Sequence, residues 1–175
     1  DGRYVGETLE SAAHSLHIAP DELALRLCDE YGNEIQVVLF YRTEADVSAF
    51  LQHPLAVVGS DGNAISLHQP CARPHPRNFG TFPRVLGRYV RDRGVLELAD
   101  AVRKMTYEPA RRLGIHDRGR IATGLAADLV LFDPQQVIDR ADFGKAPEGP
   151  MGISHVLVNG RIVLNEGTIS DERPG

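Results

Sequence analysis

Residues 55–58 read Leu-Ala-Val-Val and run directly into Gly59-Ser60-Asp61-Gly62. A short apolar stretch stopped by turn residues predicts a strand buried on both faces. Residues 35–41, Ile-Gln-Val-Val-Leu-Phe-Tyr, carry the strongest strand signal in the chain and fit the same description. Between the two, Thr43 followed three residues later by Asp46 predicts a capped helix. It runs to about Gln52, and Pro54 stops it. Strand, helix and strand of these lengths are what a right-handed crossover needs, so the sheet is expected to be parallel. In such a fold, strand C-termini face the ligand, and Asp61 stands just past one. Ser-Asp-Gly is also ordinary turn chemistry, so the local pattern leaves two readings of Asp61 open.

Helices flank this unit. Residues 8–16 predict one, capped by Thr8, with Leu9, Ala12, Ala13 and Leu16 on one face. Pro20 opens a second over 21–30, with Asp21 and Glu22 at the positive end of its dipole and Leu23, Leu27 and Tyr31 as its stripe. Cys28 lies in this pattern and is expected to be a small core residue. His14 and His17 are expected to face solvent. Residues 61–80 form a long loop containing His68, Pro70, Cys71, Pro74, His75 and Pro76; loops of this length are usually functional or disordered. Cys71 is read as an ordinary loop residue, with a reactive or ligand role as the alternative. Thr81 is expected to cap a helix over 81–93, with Val85, Leu86, Tyr89 and Val90 inward. A further amphipathic helix covers 97–106, with Leu98, Ala101, Val102 and Met105 inward, and a short one runs from Pro109 to Gly114.

After Gly114 the pattern changes. Residues 127–134 predict a strand closed by Asp133-Pro134. Residues 155–158 and 161–164 flank Asn159-Gly160, the preferred dipeptide for a two-residue type I′ hairpin. A helix-rich part is therefore expected to give way to a small β part near residue 115.

A net charge of -5 argues against a general nucleic-acid binder, which needs a basic face. No apolar run reaches the ~18 residues that span a bilayer. The opening Asp-Gly-Arg-Tyr carries no secretory pattern, and two cysteines fit a reducing, cytoplasmic compartment. Without an initiator Met, a fragment or a processed chain is expected.

The ordered series Val58-Gly59-Ser60-Asp61-Gly62, His75-Pro76-Arg77, Gly80-Thr81-Phe82-Pro83-Arg84-Val85-Leu86-Gly87-Arg88-Tyr89, Ala101-Val102-Arg103-Lys104-Met105-Thr106, Pro109-Ala110-Arg111-Arg112, Ala127-Asp128-Leu129-Val130, Phe132-Asp133-Pro134 and Val156-Leu157-Val158-Asn159-Gly160 resembles the C-terminal portion of the D-aminoacylases (N-acyl-D-amino-acid deacylases) of the amidohydrolase superfamily. The likeness covers most of residues 55–165. It implies an α/β fold: the last βα units of a metal-dependent (β/α)8 barrel over residues 1–114, with 35–41 and 55–58 as strands 7 and 8. Residues 115–175 would then form the C-terminal half of a small β-sandwich. It also implies zinc-dependent hydrolysis of the amide of an N-acyl-D-amino acid. In this match Asp61 is the catalytic proton acceptor, at or beside the metal. Arg77 holds the substrate's α-carboxylate, for which a guanidinium offers a planar fork; a structural ion pair is the other reading of Arg77. Ser60, Gly62 and His75 complete the substrate site, with His75 shaping the loop. The loop after Asp61 is longer than in the family pattern, which leaves His68 without an assigned role and bears on substrate preference.

The family's other ligands, among them a His-x-His, do not occur in this sequence. Catalytic zinc needs about three protein ligands, and Asp61 is the one candidate. The chain is therefore expected to lack most of its barrel and to be inactive alone. Its apolar faces would be covered by the missing N-terminal barrel portion or by a second copy. Two alternatives are a cyclic-amide hydrolase of the dihydroorotase or hydantoinase kind, and a non-catalytic α/β domain derived from such an enzyme.

Overall fold

The computed structural model describes residues 3–35, 37–66, 74–143 and 148–175. His68 and Cys71 lie outside the described residues. The N-terminal part is helical. α1 (Leu9–Ser15) starts at Thr8, whose side chain accepts the Ser11 N–H. α2 (Pro20–Tyr31) has Pro20 in its first turn and ends at Gly32, φ 55°, a conformation that glycine adopts without strain. Ala12, Ala13 and Leu23 form a small core between α1 and α2, flanked by Tyr4, Ile18 and Leu27. Cys28 corrects the sequence expectation: it is exposed, because α2 buries the Leu23 and Leu27 side and Cys28 points elsewhere.

α3 (Glu44–Gln52) is closed by a capping box between Thr43 and Asp46. The Thr43 N–H donates to Asp46 Oδ2 at 2.9 Å and the Asp46 N–H to Thr43 Oγ1 at 3.2 Å, satisfying donors that a helix start leaves open. The flanking runs depart from expectation. Neither 55–58 nor the described residues of 35–41 form a ladder. A helix satisfies its backbone locally, whereas a parallel strand takes its hydrogen bonds from neighbours distant in sequence. Without such neighbours, Val37, Leu39, Phe40, Tyr41 and Leu55 are left exposed.

α4 (Arg77–Arg84) begins four residues before the expected start. Pro76 occupies the cap position. Thr81, expected as the cap, lies inside the helix and donates its hydroxyl to the Arg77 carbonyl at 3.1 Å. Pro83 is interior and brings no N–H to the ladder. From Val85 to Asp92 the helix widens into a π-helix, in which each N–H reaches back five residues. α5 (Leu98–Met105) and α6 (Tyr107–Arg112) follow. Val85, Leu96 and Ala101 make a second core, packed on by Leu51, Val58, Val90, Val95 and Met105.

The C-terminal part is an antiparallel sheet in the order β1 (Leu129–Phe132), β2 (Ile153–Val158), β3 (Arg161–Asn165), β4 (Thr168–Ile169). The β2–β3 hairpin turns at Asn159 and Gly160, both with positive φ, 47° and 78°, as a type I′ turn requires. The Asn159 N–H donates to Asp128 Oδ1 at 2.8 Å and the Gly160 N–H to the Ala127 carbonyl at 3.0 Å, tying the turn to the start of β1.

The helical and β parts meet along one stripe. Gly80, Arg84, Gly87 and Arg91 recur at helical spacing. A methyl on Gly80 would stand 2.6 Å from Asp139 Cβ, and one on Gly87 would stand 2.5 Å from Ile138 Cδ1 and closer still to the Val137 carbonyl oxygen. Beside these close approaches, Arg84 pairs with Asp139 Oδ2 at 2.7 Å and Arg91 Nη1 donates to the Val137 carbonyl at 2.7 Å. No helix among the described residues is long and apolar enough to cross a membrane.

Candidate active site

The turn after residue 58 is short of room and unusual in its backbone. Asp61 has φ 49°, a left-handed conformation that aspartate tolerates better than most residues. Such conformations cost free energy and concentrate at functional sites. Ser60 shapes the turn, its Oγ accepting the Gly62 N–H at 3.2 Å. Gly62 permits a close approach to α4, since a Cβ there would lie 3.1 Å from Asn78 Cα. Asn78 fastens the turn by accepting the Asn63 N–H on Oδ1 at 2.7 Å.

Arg77, the first residue of α4, reaches back over this turn. Its Nη1 lies 3.1 Å from Asp61 Oδ2, with the Asp61 side chain 87% exposed and that of Arg77 44%. An ion pair this open contributes little to stability, about 0–1 kcal/mol. Its groups therefore remain available to a ligand. His75 stands just before Arg77 in the chain, and its Nδ1 accepts the Arg77 N–H at 3.1 Å. In the neutral ring the proton is thus on Nε2. Burial holds the His75 pKa below the ordinary histidine value; the Arg77 charge adds to this, and Asp61 opposes it. The His75 ring stands edge-on to Phe143 at 5.0 Å, and Phe143 stands likewise to Phe40 at 5.0 Å.

The structure thus brings Ser60, Asp61, Gly62, His75 and Arg77 to one place, at the junction of residues 55–62 with the start of α4. An exposed carboxylate there can take a proton from water. A guanidinium beside it offers two-pronged donation to an anionic group. A metal centre is a different matter. Among the described residues no group of three or more histidine, cysteine, aspartate or glutamate side chains could hold a metal ion. The side chains gathered here do not by themselves fit zinc, which takes about three protein ligands at a catalytic site.

Sequence reasoning missed three residues around the site. Asn78 holds the Asp61 turn, Phe143 comes from the β part to cover His75, and Lys104 is buried, 1% exposed. A signal for Lys104 was present: it falls on the inward stripe of α5, three residues after Ala101 and one before Met105. Asn78 directly follows the His-Pro-Arg motif. Phe143 is far away in sequence, and no local pattern marks it.

A sequence model of the amidohydrolase family matches residues 11–164. Among curated proteins, the N-acyl-D-glutamate deacylase of Alcaligenes xylosoxydans xylosoxydans is 46% identical over 138 residues, covering 79% of this chain and 27% of that protein. The D-aminoacylase of the same organism is 44% identical over 138 residues, covering 79% of this chain and 28% of its own length. Among solved structures, the N-acyl-D-glutamate deacylase from Bordetella bronchiseptica, complexed with zinc and a phosphonate inhibitor, superposes with a TM-score of 0.84 at 40% identity. That match covers 97% of this chain and 34% of the other. A D-aminoacylase studied for its binuclear metal centre superposes with a TM-score of 0.80 at 37% identity, over 94% of this chain and 32% of that one. The chain spans about a quarter to a third of the length of these relatives. With the family's own pattern followed through most of its residues, the chain belongs to the amidohydrolase family.

Proposed function

We propose that this chain is the part of an N-acyl-D-amino-acid deacylase that carries its proton acceptor and its substrate-carboxylate clamp. The intact enzyme hydrolyses the linear amide to a carboxylate and a D-amino acid. The observation that carries the reading is the exposed Asp61–Arg77 pair at 3.1 Å. It stands in a chain similar throughout to deacylases of N-acyl-D-glutamate and related substrates.

Hydrolysis of an amide needs a water proton removed during attack and a proton given to the departing nitrogen. In this reading the Asp61 carboxylate takes the first as the water oxygen bonds to the carbonyl carbon. It gives the proton to the nitrogen as the carbon–nitrogen bond breaks. Arg77 exchanges Asp61 for the substrate's α-carboxylate, while Ser60, Gly62 and His75 hold the shape of the turn and of the start of α4 around them. Zinc, which the Bordetella bronchiseptica enzyme holds, would take its remaining ligands from the part of the fold that this chain does not span.

Residues 1–114 then belong to the (β/α)8 barrel and 115–175 to the β-sandwich. Residues 35–41 and 55–58 become strands 7 and 8 once their neighbours are present. The exposed apolar side chains at Val37, Leu39, Phe40, Tyr41 and Leu55 support this. We assign the protein to the cytoplasm on its cysteine usage.

The test is zinc content and hydrolysis of N-acetyl-D-glutamate, N-acetyl-D-aspartate and an apolar N-acetyl-D-amino acid by the intact protein. Asp61→Asn is expected to lower kcat by about 10²–10⁴-fold, the usual worth of a positioned acid–base group. Arg77→Lys is expected to raise KM by about tenfold or more, since lysine cannot donate two parallel bonds. Full activity of Asp61→Asn, or turnover of cyclic amides alone, would overturn the reading.

A further inference from the structure

Burying an ammonium costs free energy unless hydrogen bonds replace its water, so Lys104 needs a reason to be where it is. Its Nζ donates to the His53 carbonyl at 2.6 Å and to the Ala56 carbonyl at 3.2 Å. Asp100 Oδ2 lies 4.0 Å away. The backbone of the same residue takes part as well, the Lys104 carbonyl accepting the Val58 N–H at 3.1 Å. From α6, Arg112 Nη2 donates to the Leu55 carbonyl at 2.8 Å. Helices α5 and α6 therefore grip residues 53, 55, 56 and 58, and Val58 also packs against the second core. Asp61 follows three residues later.

A core needing only apolar filling could use methionine at 104, since replacing buried charge by well-packed apolar groups is often neutral or stabilising. A lysine adds a link of fixed length from α5 to two particular carbonyls. We infer that Lys104 is a positioning residue: by holding residues 53–58 it sets where the Asp61 carboxylate stands relative to the substrate. The inference rests on the reading of Asp61 as proton acceptor. Arg77 sits on α4, outside the grip, so carboxylate binding is expected to survive the loss of Lys104.

The experiment is a double-mutant cycle in the intact enzyme. It compares wild type, Lys104→Met, Asp61→Asn and the double variant, with kcat and KM expressed per folded, zinc-loaded enzyme. Lys104→Met is expected to lower kcat by about ten- to a hundredfold, the cost of misplacing a reacting group by about an ångström, with KM changed less than about twofold. In the Asp61→Asn background the same change is expected to leave the residual rate where it is, because groups acting through one another are not additive. If Lys104→Met does not accumulate as folded protein, Lys104→Gln, which keeps a donor for one carbonyl, takes its place in the cycle. An unchanged kcat, or an equal loss with and without Asp61, would show that Lys104 holds only the fold and would overturn the inference. Full activity of Asp61→Asn would overturn the function reading, and the inference with it. A dead Asp61→Asn beside an unaffected Lys104→Met would sink the inference alone.

Discussion

Gly87→Ala sets two effects of opposite sign against each other. In a free helix the substitution is favourable by about 1 kcal/mol, because glycine is a poor helix former. Here the added methyl would meet the Val137 carbonyl oxygen, Ile138 Cδ1 at 2.5 Å and Ile138 Cα at 3.1 Å. Two of these three are backbone atoms, and Arg91 already bonds the Val137 carbonyl. They cannot swing aside like the end of a flexible side chain. Overpacking of this kind costs about 1–3 kcal/mol, and backbone obstruction points to the upper end. The net expectation is a loss of about 2 kcal/mol. Gly80→Ala meets Asp139 Cβ at 2.6 Å, an atom that no side-chain rotation moves, and is expected to lose a similar amount. Denaturant unfolding of both variants reads each loss as a shift in midpoint at constant slope. A Gly87→Ala protein more stable than wild type would refute the claim that this stripe is packed against residues 137–139.

Two further outcomes follow from the ion pairs and the buried tyrosine. Arg84→Met leaves the Asp139 side chain, 6% exposed, without its cation. It is expected to destabilise by about 2 kcal/mol, at or below the low end for a broken buried pair because Arg84 is partly solvated; Asp139→Asn in the same background should recover part of that loss in the same denaturation assay. Tyr89 donates to Glu44 Oε2 at 3.1 Å, and its pKa is raised, first by burial and then by the Glu44 charge. A raised folded-state pKa gives stability that is complete below the unfolded value and is lost as pH climbs through the folded one. The thermal midpoint is expected to fall above about pH 10, and Tyr89→Phe should flatten that limb while costing about 1 kcal/mol at neutral pH.

The sequence was most readable where structure is local. Thr8, Pro20 and the Thr43–Asp46 box mark helix starts because caps act within one turn. Asn159-Gly160 marks a hairpin because its dihedral demands are its own. The runs at 35–41 and 55–58 read as strands on hydrophobicity alone, yet strand pairing depends on partners that the pattern does not contain. The helix start at Arg77 was misread because Thr81 and Pro83 imitate a cap and a first turn, while the actual start follows Pro76. At the site, Asp61 and Arg77 were visible through motif order. Their pairing, and the packing of Phe143 against His75, are tertiary facts. Lys104 was hidden for another reason: charge within an apolar stripe reads as an interruption until its carbonyl partners are known.

The π-helix from Val85 to Asp92 makes the winding of this segment matter as well as its composition. Its wider turns accommodate residues that an α-helix would have to wind differently. Relaxing the segment to α-helical winding without changing its length would rotate everything beyond it by roughly the 100° that one residue occupies. Arg91 would then swing away from the Val137 carbonyl. Side-chain exchanges at exposed positions such as Arg93 leave that register intact. The inward residues Val85, Leu86, Gly87 and Tyr89 are buried, so on that side of the segment winding and composition are fixed together.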